Sequence, residues 1–346
     1  MSGGVDSSVA AALLKRAGFD VIGVFMKFWS EDKSGRVANR CCSPESEIRA
    51  RRVAGRLGIP FYVLNFEKEF KKRIVNYFLK ENKKGLTPNP CVVCNKEIKF
   101  GLLLEKVLKL NANFVATGHY ARLAGDRPQR SCRLCKGRDK EKDQSYFLWQ
   151  LSQKQLKRIL FPVGNYTRAE VEKLAKKFRL PFAGVKKSQE ICFVSASVED
   201  FLKRHLESRP GQIITEEGKI IGKHQGLWSY TIGQRKGIGL PGGPYYVLGK
   251  DLKRNILIVT KDEKDLLKKE LIAKNANWVS GKKPKLPAKV MVKIRYRHQP
   301  ASATITKIPH SRSCMLKFVR LQRAITPGQS AVFYRGQELL GGGIIC

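Results

Sequence analysis

Acidic residues are scarce in this sequence. Its 346 residues include 29 Asp and Glu against 67 Lys and Arg, so the formal net charge is +38. The basic residues are scattered through every part of the chain rather than confined to a tail. Such a surface suits a polyanion, and it binds nucleic acid by neutralising phosphates and releasing counterions. An anionic membrane is the weaker alternative, because no basic amphipathic helix with a continuous apolar face stands out.

Long hydrophobic runs are also missing. No apolar stretch approaches the roughly 20 residues that a membrane-spanning helix needs, and nothing resembles a signal peptide. The nine cysteines are an odd number in a large chain. This usage is typical of a reducing compartment, where thiols serve chemistry or bind metals. The sequence therefore predicts a cytoplasmic protein without a membrane partner.

The opening segment SGGVDSS lacks the Lys-Ser/Thr ending of the common nucleotide loop. Its two glycines allow the backbone to turn without a Cβ atom. Asp6, Ser7 and Ser8 suit the first turn of a helix, whose unpaired N–H groups attract an anion. The segment is interpreted as a cradle for pyrophosphate, and a solvated loop that caps a helix is the alternative.

Helical and strand patterns alternate through the first two hundred residues. Buried strands are predicted at 20–28, 59–66 and 112–120, with helices ending before Gly18 and spanning about 45–57. This order predicts an α/β fold, a doubly wound parallel sheet with ligands at the carboxyl ends of its strands. A hairpin is expected at 122–139, and TRAE at 167–170 is a capping box that opens a helix.

The pattern changes near residue 198. A short helix is expected at 198–206, followed by Gly-rich strands in HQGLWSYTIGQRKGIGL. The alternating segments AKVMVKIRYR, CMLKFVRL and QSAVFYRG then predict a small β-barrel. The expected domain limits are 1–197, 198–270 and 271–346.

Seven motifs follow one another along the chain: SGGVDSS, PNPCVVCNKEIKF, ATGHYAR, KDQSYFL, ICF, GLWSYTIGQRKGIGL and TPGQSAVFY. Together, and in this order, they resemble those of the bacterial and mitochondrial tRNA-specific 2-thiouridylase family. The first is shared with every PP-loop ATP pyrophosphatase. The resemblance implies a PP-loop catalytic domain, a central tRNA-contacting domain and a tRNA-binding barrel. It implies that ATP and Mg²⁺ adenylate the C2 oxygen of the wobble uridine, after which a sulfur nucleophile displaces AMP.

The resemblance also assigns residues. The phosphates would be held by Ser2, Gly3, Gly4, Val5, Asp6, Ser7 and Ser8, with Asp6 assisting Mg²⁺, and the nucleoside by Met26 and Gly118.

Cys192 would carry the sulfur, and Cys94 would activate its transfer or close a disulfide with it. Lys96, Lys186 and Lys187 could favour the thiolates. Contacts to the target base would come from Asn89, Pro90 and Cys91, and other tRNA contacts from His119, Lys142, Asp143, Gln144, Arg295, Tyr296 and Gln329. For His119 alone, a buried core histidine is the preferred interpretation. The implied partners are tRNA and a sulfur carrier or cysteine desulfurase relay.

The chain departs from the family pattern at two points. The family has an apolar strand before the Gly-rich loop, whereas Met1 directly precedes Ser2 here. We therefore expect the first strand to be missing, through a late start site or a truncated chain. Cys91 stands where many family members carry Asp.

The presence of Cys91 allows a second mechanism of sulfur transfer, beside one through a persulfide on Cys192. If the family's cysteine pairing holds, Cys91, Cys94 and Cys192 could hold a four-iron four-sulfur cluster with one open iron. The persulfide route needs only Cys94 and Cys192. A zinc site built from Cys91, Cys94, Cys132 and Cys135 is a third possibility, although the gap between the two pairs is longer than usual.

Two other functions stay open. One is a PP-loop ligase or amidotransferase acting on a small molecule, which would need neither the charge of +38 nor the barrel. The other is a basic RNA-binding protein whose nucleotide site is crippled by the missing strand.

Overall fold

Residues 1–31, 43–125, 131–181, 191–194, 197–309 and 311–346 are described by the computed structural model. The helices are α1 (Val5–Arg16), α2 (Pro44–Leu57), α3 (Glu67–Phe70), α4 (Asn76–Lys83), α5 (Pro90–Cys94), α6 (Leu103–Leu108), α7 (Gln153–Leu156), α8 (Arg168–Lys177) and α9 (Val198–His205). Wider π turns join α3 to α4 and α5 to α6.

Sixteen strands can be assigned within these ranges. They are β1 (Gly23–Lys27), β2 (Phe61–Asn65), β3 (Val115–Ala116), β4 (Ala121–Ala124), β5 (Arg133–Lys136), β6 (Ile159–Leu160), β7 (Gly211–Ile214), β8 (Ile220–His224), β9 (Tyr246–Asp251), β10 (Ile256–Thr260), β11 (Leu267–Trp278), β12 (Ala288–Lys293), β13 (Ala301–Lys307), β14 (Cys314–Arg323), β15 (Ser330–Arg335) and β16 (Glu338–Ile345).

Parallel strands build the N-terminal region in two pairs. β1 pairs with β2 and β3 pairs with β6, both in parallel. The three predicted strands are confirmed, although the third is only two residues long. Within the described ranges no strand joins the two pairs, and the nitrogen of Met1 donates to the carbonyl of Val24 in β1. The Gly-rich loop therefore leaves from beside β1.

Two helices frame that loop. Small side chains of α1 (Val9, Ala10 and Ala12) pack with Val171 and Ala175 of α8 in one buried cluster. The predicted capping box is confirmed, because the side chains of Thr167 and Glu170 each bond the backbone of the other. The cap fixes where α8 begins, close to the start of α1.

A four-stranded sheet in the order β8-β7-β10-β9 forms the central region, and the predicted helix is confirmed as α9. The prediction of Gly-rich strands in HQGLWSYTIGQRKGIGL is wrong. After His224 the chain forms turns and a short 3-10 helix until Tyr246. Gly233, Gly237 and Gly239 adopt φ values of 81°, 77° and 74°, which a strand does not allow.

The C-terminal barrel is confirmed as six strands in the order β11-β14-β13-β12-β15-β16, closed by pairing of β16 with β11. β15 is buried on both faces. Ala331 and Phe333 point into the barrel core, whereas Val332 and Tyr334 join the core of the N-terminal region. This explains why its sequence is continuously apolar rather than alternating.

The predicted hairpin, β4–β5, attaches the barrel to the N-terminal region. Leu134 and Cys135 in β5 pair with Leu339 and Glu338 in β16, so the hairpin extends the barrel sheet. No helix among the described residues is both long enough and apolar enough to cross a membrane.

Candidate functional site: the Gly-rich loop, the cysteines and the barrel seam

The Gly-rich loop is shaped by close backbone contacts. Gly3 has a φ of 69°, and a Cβ there would lie 2.2 Å from the carbonyl oxygen of Ser46. The hydroxyls of Ser7 and Ser8 donate to the carbonyl of Gly4 at 3.1 and 2.9 Å. The first backbone N–H groups of an α-helix have no partners within the helix, so the start of α1 suits a bound anion.

Gly118 lies directly against this loop. A Cβ on Gly118 would lie 2.5 Å from the carbonyl carbon of Asp6 and 2.6 Å from the nitrogen of Ser7. The segment after β3 therefore touches the first turn of α1 through backbone alone. Met26 lies in β1, half-buried against the large N-terminal core.

Asp6 is held by two donors that the sequence did not reveal. The hydroxyl of Tyr120 and Nη1 of Arg168 both donate to Oδ1 of Asp6, each at 2.7 Å. Burial and the Asp6 carboxylate raise the pKa of Tyr120, so its hydroxyl stays protonated. Burial opposes ionisation of Arg168, but the carboxylates of Asp6 and Glu172 outweigh it and raise the pKa of Arg168. This carboxylate therefore anchors the loop, a use that competes with the expected role toward Mg²⁺.

A further cation lies beside the loop. Nη2 of Arg49 donates to the Ser46 hydroxyl at 2.8 Å, and its Nε donates to the Gly3 carbonyl at 3.4 Å. Ser43 caps α2 and begins the helix that carries Arg49. Sequence reasoning missed Arg49 because the segment contains several similar arginines.

The two predicted reactive cysteines lie on one core. The side chain of Asn89 caps α5 by accepting from the nitrogen of Cys91 at 3.2 Å, and α5 ends at Cys94, which is 7% exposed. Cys192 is half-buried and packs against the same apolar cluster as Cys94. Its neighbour Phe193 meets the rings of Phe70 and Phe78 edge-on, at 5.8 and 5.6 Å.

The described residues do not assemble a set of metal ligands at these cysteines. No three His, Cys, Asp or Glu side chains there form a group that could hold a metal ion. The iron–sulfur and zinc hypotheses therefore lack the assembled thiols that they need. Cys132 is 2% exposed, whereas Cys135 is a half-buried residue of β5. Lys186 and Lys187 lie outside the described residues, and Lys96 is exposed.

Predicted tRNA contacts gather at the seam between the N-terminal region and the barrel. The Tyr296 ring lies 4.4 Å from the ring of Phe147 and 6.0 Å from that of Tyr146. Arg295 donates to the carbonyl of Arg323 at 3.2 Å. Gln329 reaches across the seam and donates to the carbonyl of Thr87 at 2.8 Å. The seam thus joins aromatic and basic side chains to the segment that precedes Asn89 and Pro90.

Other predicted tRNA contacts lie in the interior. His119 is 9% exposed and shares a 2.8 Å hydrogen bond with Thr117. Burial, followed by the charge of Lys99, lowers the pKa of His119 well below its usual value. It is thus a neutral core histidine, which is the interpretation preferred for this residue taken alone.

The segment 142–144 is also partly committed to the fold. Asp143 is 5% exposed and its Oδ1 accepts from the nitrogens of Gly137 and Ser145, each at 3.0 Å. Gln144 accepts from the nitrogen of Tyr120 at 3.0 Å. Lys142, which is half-buried, carries the positive charge of this segment.

Comparison with known proteins covers the whole chain. Residues 1–196 match the family model of the tRNA methyl transferase HUP domain, residues 199–261 that of the tRNA methyl transferase PRC-barrel domain, and residues 268–345 that of the aminomethyltransferase beta-barrel domain. Similar curated proteins are named tRNA-specific 2-thiouridylase. The protein MnmA 2 of Thermoanaerobacter sp. (strain X514) is 47% identical over 351 residues, which cover 100% of this chain and 96% of that protein. MnmA of Clostridioides difficile (strain 630) and MnmA of Nitrosomonas europaea are each 45% identical, with the same coverage.

Proposed function

The chain belongs to the tRNA-specific 2-thiouridylase family, and on that premise we propose that it transfers sulfur to C2 of the wobble uridine of tRNA in an ATP-dependent reaction. The observation that carries this proposal is the packing of Cys94 and Cys192 on one apolar core, within the same matched region, 1–196, that contains the Gly-rich loop. The small-molecule ligase hypothesis explains neither these cysteines nor the barrel, and a purely RNA-binding role leaves the loop geometry unused.

Activation of the uridine is assigned to the Gly-rich loop. The backbone of residues 2–6 and the hydroxyls of Ser7 and Ser8 would hold the phosphates of ATP at the positive end of α1. Met26 and Gly118 would contact the nucleoside. The C2 oxygen of uridine attacks the α-phosphate, the bond to pyrophosphate breaks, and pyrophosphate is left in the loop. Mg²⁺ would arrive with the phosphates, and Asp6 would assist it through Oδ2, because Oδ1 already accepts from Tyr120 and Arg168.

Sulfur transfer is assigned to the two cysteines. The terminal sulfur of a persulfide on Cys192 attacks C2, and AMP leaves with the electron pair of the C–O bond. The Cys94 thiolate then attacks Sγ of Cys192, the persulfide S–S bond breaks, and its electron pair stays on the sulfur bound to C2. A disulfide between Cys94 and Cys192 remains, and an external thiol reduces it. The sulfur carrier or cysteine desulfurase relay that loads Cys192 completes the cycle.

A four-iron four-sulfur cluster would need Cys91 as a third ligand around one centre. We favour the persulfide route, because it needs only the two cysteines that share a core. In this route Cys91 contacts the target base together with Asn89 and Pro90.

Recognition of tRNA is assigned to the basic surface and to the seam. We assign residues 1–197 to catalysis, 198–270 to a central tRNA-contacting domain and 271–346 to the tRNA-binding barrel. Lys142, Arg295 and Gln329 would hold the backbone, and Tyr296 would stack on an unpaired base. His119, Asp143 and Gln144 would support these contacts from the interior.

The test is thionucleoside analysis of tRNA from cells in which this chain is the sole source of the activity. We expect 2-thiouridine with the wild-type chain, with Cys91→Ser and with the exposed-site control Cys346→Ser. Cys94→Ser and Cys192→Ser should abolish it, because a hydroxyl neither carries a persulfide nor resolves one. Persistence of 2-thiouridine in Cys192→Ser would remove Cys192 from the reaction, and its loss in Cys91→Ser together with bound iron would favour the cluster.

A further inference from the structure

The segment 85–87, between α4 and α5, is bound by the barrel. The nitrogen of Thr87 donates to the carbonyl of Pro327 at 2.9 Å, and its carbonyl accepts from Nε2 of Gln329 at 2.8 Å. Gly328 has a φ of 93°, and a Cβ there would lie 2.8 Å from the nitrogen of Thr87. Both backbone polar groups of Thr87 are therefore used by one barrel loop.

The central region binds the same segment from another side. Nζ of Lys250 in β9 donates to the carbonyl of Gly85 at 2.9 Å. The hydroxyls of Thr231 and Thr87 share a hydrogen bond of 3.2 Å. Gly85 has a φ of 70°, and a Cβ there would lie 2.6 Å from Cδ2 of Leu252. Three regions of the fold thus meet at three consecutive residues.

Lys250 holds this position at a cost. Burial lowers the pKa of Lys250 to about 8, because the ammonium is removed from water. An apolar side chain of similar length would avoid that penalty. A half-buried cation that costs stability, and that donates to a backbone carbonyl, indicates that the contact itself matters.

The chain between this segment and the reactive helix is stiff. Pro88 and Pro90 are buried, and Asn89 between them caps α5. Proline fixes φ, so a shift at Thr87 moves the start of α5 rather than being absorbed by the connection. α5 in turn carries Cys91 and Cys94.

We propose that the segment 85–87 is a three-way joint, and that Lys250 is a positioning residue that fixes α5 and its cysteines relative to the two tRNA-contacting regions. This inference rests on the proposed function. It assigns no contact with tRNA to Lys250, which acts through the carbonyl of Gly85.

The test compares Lys250→Met with Lys253→Met, which removes the same charge from an exposed site on the following turn. In Lys250→Met we expect kcat for thiolation to fall about tenfold, the size of effect that slight misplacement of a reacting group produces. KM for tRNA should match that of Lys253→Met, and the melting temperature should stay equal or rise. A purely structural role predicts the reverse, a lower melting temperature with unchanged kcat. Thr231→Val removes the hydrogen bond between the hydroxyls of Thr231 and Thr87. It should also lower kcat, but by less than Lys250→Met.

Amide hydrogen exchange tests the joint without relying on activity. The amides of Thr87 and Cys91 should exchange faster in Lys250→Met, while those of β12 and β15 stay protected. Unchanged exchange at these amides, a kcat equal to that of Lys253→Met, or a raised KM for tRNA would overturn the proposal. Absence of thiolation in the wild-type chain would instead contradict the proposed function, and the exchange result would still decide the joint.

Discussion

Asp6 links the Gly-rich loop to two residues far away in sequence, Tyr120 and Arg168. All three side chains meet at Oδ1 of Asp6, which is partly exposed. Loss of either donor leaves a carboxylate next to the place where the phosphates of ATP would lie, and like charges repel. The motifs SGGVDSS and ATGHYAR contain Asp6 and Tyr120, but contacts across 114 residues to Tyr120 and 162 residues to Arg168 leave no trace in local spacing. Arg168 could be placed at the start of α8 from its capping box, and its partner could not.

Arg168→Met should raise KM for ATP about tenfold or more, because the Asp6 carboxylate keeps the Tyr120 hydroxyl but loses its positive partner, and its charge then opposes the phosphates. Arg168→Lys should restore part of the loss, since the charge returns without the planar guanidinium. Lys176→Met removes the same charge from an exposed site on α8 and should leave KM for ATP unchanged. Pyrophosphate release measures all three, and an unaffected Arg168→Met would separate Arg168 from the ATP site.

The lowered pKa of Lys250 predicts how the stability of the protein depends on pH. Its folded pKa, about 8, lies below the ordinary value of 10.5, so the folded state opposes protonation. Below pH 8 both states bind the proton and the folded chain carries the full penalty, roughly 3 kcal/mol. Between pH 8 and 10.5 Lys250 is mostly neutral in the folded state and mostly protonated in the unfolded state. The folded state therefore gains stability as pH rises through this range, and above 10.5 the penalty is gone. The stability gained by Lys250→Met in urea unfolding should therefore be largest below pH 8 and vanish near pH 10.5. A gain that is constant over this range would contradict a buried ammonium, and Lys253→Met should show no such trend.

Secondary-structure elements differ in how far the sequence predicts them. Helix α8 was predictable because its capping box is local, and barrel strands such as β14 because Cys314, Leu316 and Phe318 alternate with exposed residues. The Gly-rich segment after β8 was not, since its glycines serve positive φ angles rather than a strand. The pairing of β5 with β16 joins residues about 200 apart, so only the folded chain reveals it.

The close approach of Gly118, which follows β3, to the first turn of α1 leads to a prediction for two glycines. Gly118→Ala should abolish pyrophosphate release, because its Cβ would lie 2.5 Å from backbone atoms of Asp6 that cannot move without deforming the loop. Gly55→Ala is the matched control, since a Cβ there meets nothing within 4 Å. Gly55 lies inside α2, so this change should stabilise the protein by about 1 kcal/mol and leave activity intact. Normal pyrophosphate release by Gly118→Ala would show that the loop tolerates the intrusion.

Two of the contacts that join the regions of the molecule also bear on the proposed reaction. The pairing of β5 with β16 fixes the barrel to the N-terminal region, and the joint at 85–87 ties both C-terminal regions to the helix of Cys94. Composition predicted a polyanionic partner, but it could not predict this arrangement, because charge carries no information on domain contacts.

Binding of tRNA should be mainly electrostatic, given the net charge of +38. Raising salt from about 50 to 200 mM should weaken affinity at least a hundredfold if six or more phosphates are neutralised. Filter binding over this range measures the slope, with a flat response as the contradicting result. Cys192→Ser should show the same slope as the wild type, since the cysteine contributes to transfer rather than to charge.

Single-turnover reaction of the persulfide-loaded, iron-free protein with ATP and unmodified tRNA tests sulfur transfer most directly. AMP, pyrophosphate and 2-thiouridine should form in equal amounts, with a disulfide between Cys94 and Cys192 left on the protein. Formation of AMP without 2-thiouridine, or of 2-thiouridine without ATP, would contradict the proposed reaction.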